Sequence, residues 1–418
     1  MTGQNHARGL AALLIAVSAA VSMAAEAASR PDEVGRLRPV AVPTGLTSFR
    51  DGLRAGQEAF AKPAEGSGTV HPGAMVATLD TPGGKLAVAV DAADREAKMP
   101  DIVRLDFSGR GRFEGAPVAR LTAEPRGSDP FHANIGPDML TVQRDGVDVP
   151  VRAEGHYYRS GSYRQIRLVL VCVREGTCDF GGSVRNVRLV DRTYNLAVND
   201  PPRFARRNGR PVCESRGDSL TIERADSTVP QQGPHQADVG QPILLDGRWY
   251  TFTISDDQTR ITARPLAEPL GTLRIDHDHW WVNLVGDGRY LSIDSGDRTV
   301  PLPAGTYEVV RGGHLIHGDS SGTMMWANPG NVEPVMVTVK PGETATAVVG
   351  GPVTLRVKPT VQGRTVQMDL ERMDVSGLPI TDLTRNIKGV NVYYVTNPRM
   401  KVTDANGTVV HTGTFEYG

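Results

Sequence analysis

From Gly73 onward the chain repeats one pattern: short runs in which every second residue is apolar, cut apart by Gly, Pro and Asp-Gly. Side chains alternate faces along a strand, so a period of two marks a strand with one buried face. Tyr163–Val173 (YRQIRLVLVCV) is the clearest case, setting Ile166, Leu168 and Leu170 against Arg167 and Val169. The same pattern predicts strands at Lys85–Val90, Ile102–Phe107, Val149–Ala153, Val184–Val190, Trp249–Ser255 and Thr259–Pro265. The 46 glycines and 29 prolines supply the turns between them. Asp246-Gly247, between Leu245 and Arg248, is a two-residue hairpin turn. The expected class is all-β.

One segment breaks the pattern. Thr44–Lys62 places Leu46, Phe49, Leu53 and Phe60 near helical spacing, with Thr47 or Ser48 available as a cap and Gly52 and Gly56 inside it. It predicts one short N-terminal helix, ended by Pro63. Turn-rich stretches then divide the chain. The expected parts are a signal peptide at 1–27, an N-terminal segment with the helix at 28–68, a β-domain at 69–200, a second β-rich domain at 201–298 and an immunoglobulin-like β-sandwich region at 299–418. The domains before the last read as small barrels or sandwiches. The last hundred residues hold about seven strands, from Met336–Lys340 to Val409–Phe415, the number such a sandwich needs.

The N-terminus gives the compartment. His6 and Arg8 precede a nearly unbroken apolar run, Gly9–Val21, and Ala25-Glu26-Ala27 follows as a small-x-small cleavage pattern. This is the layout of a secretory signal peptide. The run is shorter than the roughly 20 apolar residues of a spanning helix, and no later segment is apolar enough to cross a bilayer. The expectation is an exported protein, periplasmic or extracellular, with no transmembrane segment in the mature chain. The formal net charge is -1. A nucleic-acid binder shows a basic face, so nucleic acid is not an expected partner. The dense basic run Arg203–Arg210, between Pro202 and Pro211, reads as a solvated loop or as a patch for polyanions.

Leu302-Pro303-Ala304-Gly305-Thr306-Tyr307-Glu308-Val309 resembles the LPAGTYEV strand of carboxypeptidase-regulatory-like and prealbumin-type β-sandwich modules. Val337–Thr344 (VTVKPGET) resembles their later V-x-V-x-x-G-E-T strand, so the likeness covers about residues 300–350. It implies an accessory module that binds or supports rather than catalyses. Asp106–Phe113, Leu244–Tyr250, Ile275–Trp280 and Phe415–Gly418 give the whole chain a resemblance to exported multi-domain β-rich bacterial proteins. That likeness carries no catalytic residue onto this sequence.

Three groups of residues bear chemistry. The cysteines are Cys172, Cys178 and Cys213. Cys172 and Cys178 flank Arg174-Glu175-Gly176, which reads as a turn, so a disulfide across a hairpin is expected, with Cys213 as the alternative partner of either. His277 and His279 stand two apart in what reads as a strand, so both face one side; a third metal ligand would come from His314 or His317. Asp191, Thr193 and Asn195, with Asn199 and Asp200, offer alternating oxygens of the kind calcium takes. Asp106-x-Ser108-x-Arg110-Gly111 instead puts a cation at a ligand position and reads as a turn. Trp249, Tyr250, Trp280 and Trp281 crowd one quarter of the chain and could stack on sugar rings, although Trp280 and Trp281 face opposite sides of a strand.

No G-x-S-x-G motif stands in a strand–Ser–helix context, since Ser320-Ser321-Gly322 reads as a turn; no Walker loop or dinucleotide glycine pattern occurs in a β–α context, and no pair of carboxylates is singled out. The expected function is non-catalytic: a binding or scaffold protein whose partner is a cell-envelope component or an extracellular ligand. No cofactor is required, with calcium the cation to consider. Two alternatives stand, a carbohydrate-binding protein using the aromatic residues and a metal-dependent hydrolase using His277 and His279.

Overall fold

The computed structural model describes residues 33–42, 53–81, 84–124, 131–144, 146–223, 235–286, 288–316, 322–327, 333–363, 365–387, 390–393 and 399–414. Within them the chain is all-β. Its strands pair antiparallel, apart from one short parallel contact. The expected signal peptide lies outside the described residues.

The first body opens with β1 (Glu33–Val40), β2 (Leu53–Ala55), β3 (Phe60–Ala61), β4 (Met75–Thr81), β5 (Gly84–Asp91), β6 (Ile102–Asp106) and β7 (Val118–Ala123). Three long strands follow, β8 (Phe131–Arg144), β9 (Val147–Ser160) and β10 (Tyr163–Asp179). Then come β11 (Val184–Val190), the hairpin β12–β13 (Arg203–Arg207, Arg210–Ser215), β14 (Ser219–Ile222), β15 (His235–Asp238), β16 (Ile243–Leu245), β17 (Arg248–Ile254) and β18 (Arg260–Pro265). All but the β12–β13 hairpin join one 16-stranded sheet.

β10 is the spine of that sheet. Its first half pairs with β2 and β9, and its second half with β1 and β11. It therefore leaves one set of neighbours and enters another along its own length. Glycine makes the passage possible. A Cβ on Gly155 would stand 2.1 Å from the Arg167 carbonyl oxygen, and one on Gly176 would stand 1.8 Å from the Arg36 carbonyl oxygen. Neither site has room for a side chain, so glycine there lets the strands close on each other. Inward residues of all these strands, from Leu37 to Ala263, form one continuous core.

The second body holds β19 (Leu270–Arg274), β20 (Trp280–Gly286), β21 (Arg289–Ser295), β22 (Thr299–Pro303), β23 (Gly305–Ile316), β24 (Gly322–Ala327), β25 (Val335–Val339) and β26 (Thr344–Thr346). It also holds the hairpin β27–β28 (Thr354–Gln362, Thr365–Met373), β29 (Ile380–Ile387), β30 (Val390–Tyr393) and the hairpin β31–β32 (Arg399–Thr403, Val409–Thr414). A three-stranded sheet, β22-β19-β26, and a seven-stranded sheet built on β20 and β23 contribute to a shared core of Leu273, Trp280, Val282, Leu302, Val309 and Val339. The arrangement is compatible with a β-sandwich.

Two expectations change, the helix and the basic loop. The helix over Thr44–Lys62 does not form in the part that is described: Leu53–Ala55 is β2, Gln57–Ala59 is a single 3-10 turn and Phe60–Ala61 pairs with β4. Leu53 and Ala55 are buried and Arg54 is exposed, so a period of two was present inside the helical spacing. Pairing with β10 satisfies that backbone without a helix. Thr44–Gly52 lies outside the described residues. Buried residues from Leu220 to Ala263 belong to the same core as the strands before residue 200, and most of the second core follows residue 266. The strands expected at the C-terminus occur near their expected places, and among the described residues β27–β28 and β31–β32 each form a two-stranded sheet. Arg203–Arg210 is the β12–β13 hairpin rather than a loop, and Arg210 pairs with Glu308 of β23.

Gly176→Ala forces β1 away from β10. Urea unfolding should show a loss of at least about 2 kcal/mol; a change below about 0.5 kcal/mol would mean that β1 yields freely.

Candidate functional site

The aromatic cluster separates once folded. Trp249, Tyr250 and Trp280 are core residues, exposed by 1 %, 4 % and 1 %. Each meets its polar atom's need inside the protein: Trp249 Nε1 donates to Pro301 O at 2.8 Å, Tyr250 Oη to Phe180 O at 3.2 Å and Trp280 Nε1 to Asp297 O at 2.8 Å. Trp281 alone of the four is half-buried, because successive residues on β20 face opposite ways.

Trp281 stands between Asp294 on β21 and Gly313 on β23 in cross-strand register. A Cβ on Gly313 would meet Trp281 Nε1 at 2.7 Å, so glycine lets the indole lie against its neighbour strand. The Arg311 guanidinium sits 5.6 Å from the ring centroid. The indole then borders a cleft of about 180 Å³, formed where the two bodies meet. β15 contributes His235 and Gln236, β16 contributes Ile243 and Leu244, and β21 contributes Ser292, Ile293 and Asp294. The cleft is smaller than the roughly 300 Å³ at which drug-sized pockets begin. One wall is aromatic and apolar, and the others carry hydroxyl, amide, imidazole and carboxylate groups.

The histidines do not form the expected strand pair. Asp276–His279 is a bend, His279 has φ 51, and β20 starts only at Trp280. His277 stacks on His314, with ring centroids 3.8 Å apart and planes 5° from parallel, and its Nε2 lies 2.9 Å from Val349 O. Stacked imidazoles direct their in-plane lone pairs side by side, not at a common point. Among the described residues no group of three or more His, Cys, Asp or Glu side chains is placed to hold a metal ion. His317 lies outside the described residues.

Asp191 and Asn195 organise a loop. Asp191 is buried; its Oδ1 accepts from the backbone N–H of Thr193 and Tyr194 at 2.8 and 2.7 Å, and its Oδ2 from that of Leu196 at 2.7 Å. Tyr194 and Leu196 have φ 61 and 65, a left-handed backbone that side chains resist, so these bonds hold the turn shut. Asn195 Oδ1 accepts from Ala197 N–H, and its Nδ2 donates to Asp200. Asp218, fully buried, accepts from the N–H of Arg192 and Asp200 at 2.8 and 2.9 Å. The oxygens of Asp191 and Asn195 are thus engaged by the loop's own backbone, and Asp200 Oδ2 by the Thr193 and Asn195 side chains. Asp106 does the same for its turn, accepting from Ser108 and Arg112.

The disulfide expected across a hairpin does not form. Arg174, Glu175 and Gly176 are interior residues of β10, paired with β1 and β11. Cys172 and Cys178 are therefore six residues apart on one strand, roughly 20 Å at 3.3 Å per residue, where a bridge needs Cα atoms within about 7 Å. Among the described residues no disulfide joins any two of the three cysteines. Burial, with the nearby charges of Asp191 and Asp218, holds the Cys172 thiol well above its ordinary value. Such a thiol is a poor nucleophile.

His235, Gln236, Ser292 and Asp294 escaped the sequence reading. One signal was present: counting back along the hairpin from Asp287-Gly288 sets Asp294 opposite Trp281. His235 and Gln236 had none, since only the joining of the two bodies brings β15 to β21. No protein-family model, curated protein or solved structure matches the chain.

Burial pushes Asp218 up to about 8, helped by the charge of Asp191, and burial pushes Asp191 up to about 6. A carboxyl raised in the folded state binds its proton there while the unfolded chain has lost it above about pH 4. Its stabilisation is therefore full at low pH and fades as pH rises through the folded value. Urea unfolding of Asp218→Asn should show mutant-minus-wild-type stability rising by up to about 1.4 kcal/mol per pH unit between pH 5 and about 8. A flat difference would show that Asp218 is ionised in the folded protein.

Proposed function

We propose that this is an exported, non-catalytic binding protein that takes a small sugar ring, or the end of a glycan, into the cleft at Trp281. The observation that carries it is the half-buried indole bordering a small cleft walled by Ser292, Asp294, His235 and Gln236. Sugars present hydroxyls around their edge and C–H groups on their faces. An aromatic face meets the latter, and side-chain amides, hydroxyls and carboxylates meet the former. The cleft offers both within one ring's reach. The leader-like N-terminus and the likeness of residues 300–350 to accessory β-sandwich modules support a place in the cell envelope or outside the cell.

Calorimetric titration with a panel of neutral mono- and oligosaccharides should find binding that Trp281→Ala weakens at least about tenfold. Asp294→Asn should weaken it less, because the amide keeps one acceptor. Binding that survives Trp281→Ala unchanged, or a panel without a binder, contradicts this reading.

A further inference from the structure

A second surface, sharing no residue with the cleft, gathers positive charge in cross-strand register. β2, β10, β9 and β8 lie side by side. Arg54 stands opposite Arg167, Arg167 opposite His156, and His156 opposite Asn134. The adjoining row is Gln165, Tyr158 and His132, and Tyr163 stands opposite Ser160 beyond it. Their alternates, among them Leu53, Ala55, Ile166, Leu168, Tyr157 and Ala133, are buried. The named rows therefore line the outward face.

Like charges directly opposite one another destabilise a pair of strands. Here two arginines and a histidine form one row without an acid among them. The histidine registers the crowding: burial, then Arg167, Arg54 and His132, hold the His156 imidazole below its ordinary value. Arg167 Nε is buried and has no hydrogen-bond partner among the described residues. Glu154, the acid on the same face, is already bound by Arg152 at 3.0 Å.

Beside the charged row the surface is aromatic. His132 and Tyr158 meet edge to face at 4.6 Å between centroids, and Tyr158 and Tyr163 at 5.8 Å. Tyr163 is 46 % exposed. Asn134 and Gln165 add amide donors and acceptors. Four strands at about 4.8 Å spacing make a platform roughly 14 Å wide. At that width it suits a stretch of a long chain rather than a single terminal residue.

We propose that this face binds an acidic polysaccharide, with its carboxylate or sulfate groups on Arg54, Arg167 and His156 and its sugar rings on Tyr158, Tyr163 and His132. The planar guanidinium forks match oxyanions in pairs. The tyrosines set the register of the rings along the platform.

Affinity electrophoresis of the purified protein tests this, in gels carrying polygalacturonate, dextran sulfate, uncharged dextran or a single-stranded oligonucleotide. At least one of the two acidic polymers should retard the protein, and uncharged dextran should not. Which polymer acts tells carboxylate from sulfate recognition. Arg54→Gln, at an exposed position that leaves the core untouched, and Arg167→Gln should each weaken retardation about tenfold. Tyr163→Ala should weaken it as well, and Trp281→Ala should leave it unchanged, which separates this face from the cleft. No retardation by either acidic polymer, retardation indifferent to both arginine variants, or an oligonucleotide bound as tightly would each overturn the proposal.

Discussion

Trp249 belongs to the first sheet by its backbone and to the second core by its side chain. Its neighbours on β17, Tyr250 and Phe252, pack in the first core. On β16, Leu244 turns toward the second core while Ile243 and Leu245 turn toward the first. At Leu244 and Trp249 the β16–β17 hairpin is therefore covered on both faces, and each face serves a different body, while Thr251 and Thr253 farther along β17 are exposed. Truncating a buried aromatic of this size costs about 3–5 kcal/mol, and at Trp249 that loss would fall on the joint itself. One ring contact and one ion pair across the joint add direction. Arg216, held by Asp238 within the first body, sets its guanidinium 3.9 Å from the Tyr290 ring centroid of the second. Arg210 holds the nearly buried Glu308 of β23. A pair of this kind adds little net stability, but breaking it strands a buried carboxylate, so it fixes how the surfaces meet.

The cleft follows from that joint. β15 and β16 come from the first body and β20 and β21 from the second, and Gln241 Oε1 accepts from Tyr290 N–H at 2.9 Å beside them. A site built across such a joint keeps its dimensions only while the joint holds. Trp249 and Trp281 thus have different places despite their shared residue type: the first packs in the joint that sets the walls, and the second lines the cleft where the proposed ligand sits. The cationic face on β2, β10, β9 and β8 depends instead on the glycine-lined crossing of β10, where Gly155 lets β9 sit close to the strand that carries Arg167.

Much of the fold was legible because period-two alternation is a local signal. The strands around Val88, Leu105, Val151 and Ile261 stand where the alternation put them. What the alternation hides is continuity. Arg174-Glu175-Gly176 looks like a turn by composition, yet it is mid-strand, since Gly176 answers to a close backbone neighbour rather than to a bend. That one misreading also produced the expected disulfide. The helix at Thr44–Lys62 had competing periods, and pairing with β10 decided for the strand at Leu53–Ala55. Of the four aromatic residues that the sequence singles out, only Trp281 borders the cleft. Parity on β20 separates Trp280 from Trp281, but which of them is buried depends on the facing sheet. The row Arg54, Arg167, His156 comes from three strands whose register no local pattern encodes.

The central claim is that the joint between the bodies leaves a formed cleft in which Trp281 meets a sugar. Crystals of the protein soaked in a mixture of neutral monosaccharides test it most directly. The account predicts a ring seated against the Trp281 indole, within hydrogen-bonding reach of Asp294, Ser292 or Gln236. Density for sugar elsewhere with this cleft empty, or a cleft closed by movement of β15 against β21, would contradict it.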